Sequence, residues 1–272
     1  MTHTHLLGLL GQPALITSTG YTAAKSLILA RIAGQPQAVR EGSGPCGEEV
    51  EMPQMVIENG FAVIPVAGIL GWKLSGMEKG SGCTDYCDII EDIEVASADP
   101  TVTTIVFDID SPGGMVSGLS ECADAIAMSG KRTIAYGSGL VCSAAYWLAC
   151  ACDEIWATPS ATIGSIGVYV PHHDVTEMLA KEGIKVRLFA SGTLKGAGYP
   201  GVPLTEAQAI DIQATVDAIN VDFQAFATAS RGAIDAGDMQ GQTFRAVEAQ
   251  NRGLLDVITA DWEDTLSEPV ES

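Results

Sequence analysis

The segment Val102–Ile109, VTTIVFDI, constrains the fold more than any other stretch of the chain. It is β-branched and apolar without strict alternation, the pattern of a strand buried on both faces. Such a strand needs packed elements on each side, and parallel neighbours reached through crossover helices. The run ends at Asp110-Ser111-Pro112-Gly113-Gly114, where two glycines allow a sharp turn that leaves N–H groups free at a helix start. The flanking sequence supplies the alternation. Strands are expected at Phe61–Leu70, Thr133–Tyr136, Glu154–Ala157, Ile166–Val170 and Val186–Phe189. Helices are expected at Cys83–Ala98, Gly118–Met128, Ser143–Cys150, Val175–Lys181 and about Thr205 to Ser230. The last opens with a Thr205/Gln208 capping-box pattern and carries Ile212, Val216, Ile219, Phe223 and Phe226 at spacings of four and three. The expected class is α/β, with helices on a largely parallel sheet.

Of the 272 residues, 47% are apolar and 18% charged, ample for a core. The formal net charge of −20 repels phosphate backbones and argues against general nucleic-acid binding. Residues 1–54 read as an N-terminal arm, with a helix around Thr22–Ile32 followed by the linker GQPQAVREGSGPCGEEVEMP. Residues 55–262 read as the domain, and 263–272 as an acidic tail. The N-terminus lacks the pattern of a signal peptide and no apolar run is long enough for a bilayer span, so a soluble chain without a membrane anchor is expected. Seven cysteines without paired C-x-x-C units give a zinc site little support; they read as small core residues in a reduced compartment.

Four segments carry potential chemistry. Asp110–Gly114 offers backbone donors to an anion, or is an ordinary strand-to-helix turn; it lacks the lysine of a phosphate-binding loop. Ser143, at the start of a helix of small residues, is either an N-cap or a nucleophile beside backbone N–H groups. Lys195, one of seven lysines, lies in the glycine-rich loop ASGTLKGAG and is a solvated charge or, if desolvated, a general base. The stretch ATIGSIGV holds Ser165 among apolar residues, where a buried hydroxyl needs a partner such as the lysine.

Together, VFDIDSPGG, CSAAYWLA, ATIGSIGV, FASGTLKGAG and FRAVEAQNRGLLDVI resemble the signal peptide peptidase A family of serine proteases, which includes head-maturation proteases of tailed phages. The resemblance covers about residues 58–258 and keeps Lys195 52 residues after Ser143. It implies a Clp/crotonase-like spiral of β-β-α units. It also implies a Ser–Lys dyad, with Ser143 as nucleophile, Lys195 as general base, Ser165 orienting the lysine, and the N–H groups of Gly114 and Ala144 as oxyanion hole. The implied partners are a polypeptide substrate, capsid or scaffold proteins and further copies of the chain, in a bacterial host's cytoplasm or a prohead. No cofactor or metal is implied.

Competing chemistries fit less well. His3, His5, His172 and His173 are the only histidines, the first pair in the arm and the second after Pro171, which leaves a Ser-His-Asp triad without a good base. No H-E-x-x-H motif is present. Acyl-CoA chemistry on a crotonase-like frame would use a glycine-lined oxyanion hole but has no need of Ser143 and Lys195 together. The remaining alternatives are a bacterial signal-peptide or general peptide-degrading protease, and a non-catalytic capsid-assembly component.

Overall fold

The buried run forms the middle of a parallel sheet. The computed structural model describes residues 13–22, 25, 54–232 and 234–263. Its strands are β1 (Ala14–Ile16), β2 (Val56–Glu58), β3 (Phe61–Gly71), β4 (Cys83–Asp85), β5 (Thr104–Met115), β6 (Arg132–Cys142), β7 (Glu154–Ala157), β8 (Thr162–Gly164), β9 (Thr243–Arg245) and β10 (Val257–Ile258). Its main helices are α1 (Gly76–Lys79), α2 (Tyr86–Ala98), α3 (Leu119–Ala127), α4 (Ala144–Cys150), α5 (Thr176–Lys181), α6 (Glu206–Arg231) and α7 (Ala246–Asn251).

The main sheet runs β10-β7-β6-β5-β3-β2, parallel except for β2. Residues of β5 alternate between two apolar layers. Ile105, Phe107 and Ile109 meet α2, α3 and α4 through Ile89, Leu119, Ile126 and Tyr146. Val106 joins Ile134, Tyr136 and Trp156 on the other face. Three strands outrun this sheet. Ladder irregularities fall at Ala67/Ile69 and Ile109/Ser111. Beyond them β3 pairs with β4, β5 with β1, and β6 with β8, which in turn pairs with β9. Bulges of this kind re-aim a strand end, and here the ends converge on the candidate site.

Most expected elements are present, with instructive differences. The Thr205/Gln208 capping box is formed. Residues 83–85 are a strand, not the first turn of a helix, because Asp85 is the N-cap of α2: its carboxylate accepts N–H groups of Cys87, Lys73 and Leu74 at 3.0, 2.9 and 2.7 Å. Val186–Phe189 forms no strand, since no strand lies beside it, and at 166–170 only Tyr169 makes a β-bridge. The helix expected at Thr22–Ile32 lies almost wholly outside the described residues; helical backbone is present at 18–22. Within the expected arm, Ala14, Leu15 and Ile16 are built into the domain as β1, all three buried. Of the acidic tail only Glu263 is described.

Because Asp85 is buried and satisfies three N–H groups, Asp85→Ala should destabilise the fold by about 2 kcal/mol or more, as left-over buried donors lose their acceptor. Asp85→Asn, which keeps an acceptor oxygen, should lose less. Urea unfolding of the two variants measures the difference.

Candidate active site

β6 delivers Ser143 to the start of α4 with φ 58° and ψ −118°, a backbone conformation that side-chain-bearing residues rarely adopt. Two hydrogen bonds hold it there: Ser143 N–H donates to the Gly164 carbonyl at 2.8 Å, and Trp147 N–H donates to the Ser143 carbonyl at 3.0 Å. The hydroxyl makes no capping bond, so Ser143 is not the simple helix cap that its position allowed. Its Oγ is buried with no hydrogen-bond partner, and the residue is 1% exposed. A strained, buried serine with an unused hydroxyl marks Ser143 as a candidate functional group. The adjacent Cys142 is no competitor, because burial pushes its thiol up to about 12. Trp147, one turn into α4, stacks on Phe223 and Phe226 of α6 with centroids at 4.9 and 5.3 Å, which anchors the helix that Ser143 begins.

Gly113 and Gly114 lie beside it at the end of β5. A β-carbon on Gly113, whose φ is +104°, would meet Ser143 Cβ at 2.9 Å and collide with the Leu15 carbonyl oxygen. One on Gly114 would run into the Leu70 backbone of β3. The Gly113 N–H is spent on Ser111 Oγ, whose hydroxyl donates in turn to the Gly68 carbonyl at 2.6 Å. The loop between the strand halves of β6 is pinned by Asp110, which accepts the Leu140 N–H at 2.8 Å and leaves no room for a side chain at Gly139. Ala144, wholly buried, follows the serine as the first residue of α4.

Ser165 is drawn next to this turn, because Gly164 accepts from Ser143 while Ser165 N–H donates to the Gln242 carbonyl at 2.8 Å. It too has a positive φ, 54°. Ser165 lines a cavity of about 640 Å³ together with Thr17, Cys142, Tyr169 and Gln242. Lys195 makes no hydrogen bond to the serine. It is exposed and makes no hydrogen bond or ion pair among the described residues. Of the described histidines, His173 has its Nε2 2.9 Å from Lys25 Nζ. Among the described residues, no three His, Cys, Asp or Glu side chains gather as a metal site would require. No described helix is long and apolar enough to cross a membrane.

The chain gathers a strained serine, a glycine-lined strand end and a second serine from the segments that suggested a peptidase. Against known proteins, the sequence profile described as Peptidase family S49 matches residues 125–268, more than half of the chain. The chain belongs to peptidase family S49. The profile of Clp protease matches residues 79–164, the part that carries β5, β6 and Ser143. Among curated relatives of this S49 chain, the capsid assembly protease C of Escherichia phage lambda is 34% identical over 204 residues, 74% of this chain and 46% of the relative. The head-tail preconnector protein GP5 of Enterobacteria phage P21 is 39% identical over 166 residues, 60% of this chain and 33% of the relative. The chain thus spans less than half the length of either. Among solved structures, the membrane-bound stomatin-specific protease 1510-N aligns with a TM-score of 0.48 and 15% identity, covering 78% of this chain and 84% of that one.

Sequence reasoning missed β1 as part of the site, and named Asp110 only within a backbone anion loop, not as the acceptor that pins Leu140. Pro13 before a short apolar run closed by Thr17 and Ser18 was the signal for β1, but three residues are too few for a period to register. The crowding yields a prediction. Gly114→Ala should destabilise the protein by about 1–3 kcal/mol through the clash with Leu70. A lowered midpoint of thermal unfolding is therefore expected along with any kinetic defect, and Gly113→Ala should be the worse of the two because of its φ.

Proposed function

We propose that the protein is a serine endopeptidase that uses a Ser143–Lys195 dyad and acts on capsid or scaffold polypeptides during phage head assembly. The carrying observation is Ser143 itself: a positive-φ, buried serine at a strand-to-helix turn whose hydroxyl has no structural bond to make. In the reaction Ser143 Oγ attacks the scissile carbonyl while its proton passes to the neutral Lys195 amine; an ammonium has no lone pair to accept it. The negative charge on the former carbonyl oxygen is held by the N–H groups of Gly114 and Ala144. Collapse expels the leaving amine, protonated by Lys195, and water then releases the acyl group by the same proton path. Ser165, beside the turn that carries Ser143, is suited to orient the amine. The capsid-directed role rests on the names of the phage lambda and P21 relatives.

The amine reaches Ser143 from a second copy of the chain in this reading. The segment around Lys195 exposes Ile184, Leu188, Phe189, Leu194 and Tyr199, with Phe189 at 91% exposure. The stripe on α6 is only half covered, for Ile212, Val216 and Ile219 are partly buried. Charge supports a self-association as well. Lys181, Lys185, Arg187 and Lys195 supply four of the chain's 14 cations, whereas Glu206, Asp211, Asp217 and Asp222 lie along α6. An apolar, basic segment and a half-covered acidic helix are complementary surfaces on one molecule.

Ser143→Ala should abolish hydrolysis of fluorescein-labelled casein with an unchanged thermal unfolding midpoint, as should Lys195→Met. Lys195→Arg should be equally inactive, since a guanidinium stays protonated. Mixing unfolded Ser143→Ala and Lys195→Met chains and refolding them together should restore about a quarter of wild-type activity if each site takes its serine and lysine from different copies. Full activity of either single variant would reject the dyad, and no recovery on mixing would place both groups in one chain.

A further inference from the structure

β1 is held along both of its edges. It lies antiparallel to the end of β5, with Ala14 opposite Met115, Leu15 opposite Gly114 and Ile16 opposite Gly113. On its other edge Ala14 N–H donates to the Tyr169 carbonyl at 3.0 Å and Tyr169 N–H donates back at 3.3 Å. Thr17 N–H donates to the Pro112 carbonyl at 2.9 Å. In an antiparallel ladder hydrogen-bonded and non-bonded pairs alternate, so Leu15 and Gly114 form the next bonded pair, and the Leu15 carbonyl faces the glycine proposed as oxyanion donor. The same carbonyl oxygen lies against Gly113, which in turn abuts Ser143.

From this geometry we infer that β1 is the chain's own occupant of the peptide groove: residues 14–16 sit where a substrate strand would sit, and the protein so folded is self-inhibited. The inference rests on the protease reading above. Without β1, the edge groups of Gly114 and Tyr169 would be open on both sides of a slot, the template for strand addition by an extended peptide. With it, Leu15 is completely buried, Ala14 and Ile16 pack with Tyr21, Ile69 and Cys83, and Ser143 is closed off from solvent. The segment is also anchored beyond the slot. Thr17 accepts the Gly20 N–H at 3.1 Å, Tyr21 meets Tyr169 edge-on at 5.8 Å, and Lys25 reaches His173. An external polypeptide must displace residues 14–16 before it can lie across Ser143.

A reversible lock in the full chain tests this. Ala14 and Met115 are a non-bonded pair packed in one cluster, with the roughly 4.5 Å Cα spacing of such pairs, within reach of a disulfide. In Ala14→Cys/Met115→Cys, oxidation should slow fluorophosphonate labelling of Ser143 and casein hydrolysis at least about tenfold, and dithiothreitol should restore both. On a Ser143→Ala background, a fluorescein-labelled Pro-Ala-Leu-Ile-Thr-Ser peptide should bind at least about tenfold more weakly to the oxidised form, by anisotropy. Leu15→Pro, which deletes the N–H facing Gly114, should move labelling and peptide binding the other way. Equal labelling and equal peptide binding in both redox states would overturn the inference. Failure of the protease reading looks different: Ser143 stays unlabelled even when reduced, while peptide binding still responds to the lock.

Discussion

Three backbones meet at Gly113 and Gly114, and the candidate site depends on that approach. Leu70 from β3, Leu15 from β1 and the Cys142–Ser143 turn from β6 each stand where a β-carbon would have to go. Glycine lets the end of β5 carry donor groups alongside the serine turn, and the neighbouring constraints follow from it. Ser143 takes its strained φ because its N–H is drawn to Gly164 and its carbonyl to Trp147. Asp110 ties the loop of β6 before the serine, and Ser111 bridges Gly68 and Gly113 across the strand bends. Strain of this sort persists only where surroundings over-determine it, and four strands do so here.

How much of this was legible depended on the length of each signal. The run at 102–109 announced a buried central strand, and the Thr205/Gln208 pair announced the start of α6, because both rest on many residues or a specific local bond. Val186–Phe189 misled because β-branched and apolar character describes a residue that wants covering, not what covers it. The stripe on α6 makes the same point: Phe223 is buried against Trp147, yet Ile212 and Val216 are only partly covered. The spacing marks an apolar face; it does not say how much of that face the domain itself covers. β1 left only a faint trace, a three-residue apolar run after Pro13, too short for any alternation to mark it. Ser143 was legible as a helix start; its backbone strain and idle hydroxyl were not, because both arise from partners distant in sequence.

Among the described residues, no base is hydrogen-bonded to the Ser143 hydroxyl. Cys142 is held as a thiol by burial. On β5, Asp108 has its carboxyl pushed above the usual range by burial, partly opposed by Ser138. The Ser143 hydroxyl has no hydrogen-bond partner of any kind among the described residues. A neutral hydroxyl in apolar surroundings is a weak nucleophile, so on the proposed reading its chemistry needs a base brought to it. In a chain of net charge −20, the stretch from Lys181 to Lys195 is where cations concentrate.

On the proposed reading, activity is therefore restrained twice, and by physically different means. One restraint is β1, an intramolecular strand whose effective concentration at the slot a free peptide cannot easily match. The other is the missing amine, which a second copy supplies and which therefore depends on protein concentration and assembly. When two such equilibria are independent, the active fraction is the product of the two competent fractions, so modest biases of each give a strong combined restraint. They need not remain independent. Residues 171–204 connect the Tyr169 edge of the slot to Lys195 and the start of α6, and Lys25 ties the helix after β1 to His173 in that same stretch. On that reading, a partner that gripped the exposed segment from Ile184 to Tyr199 would bear on the scaffold that clamps β1, and self-association and opening of the groove would share a lever.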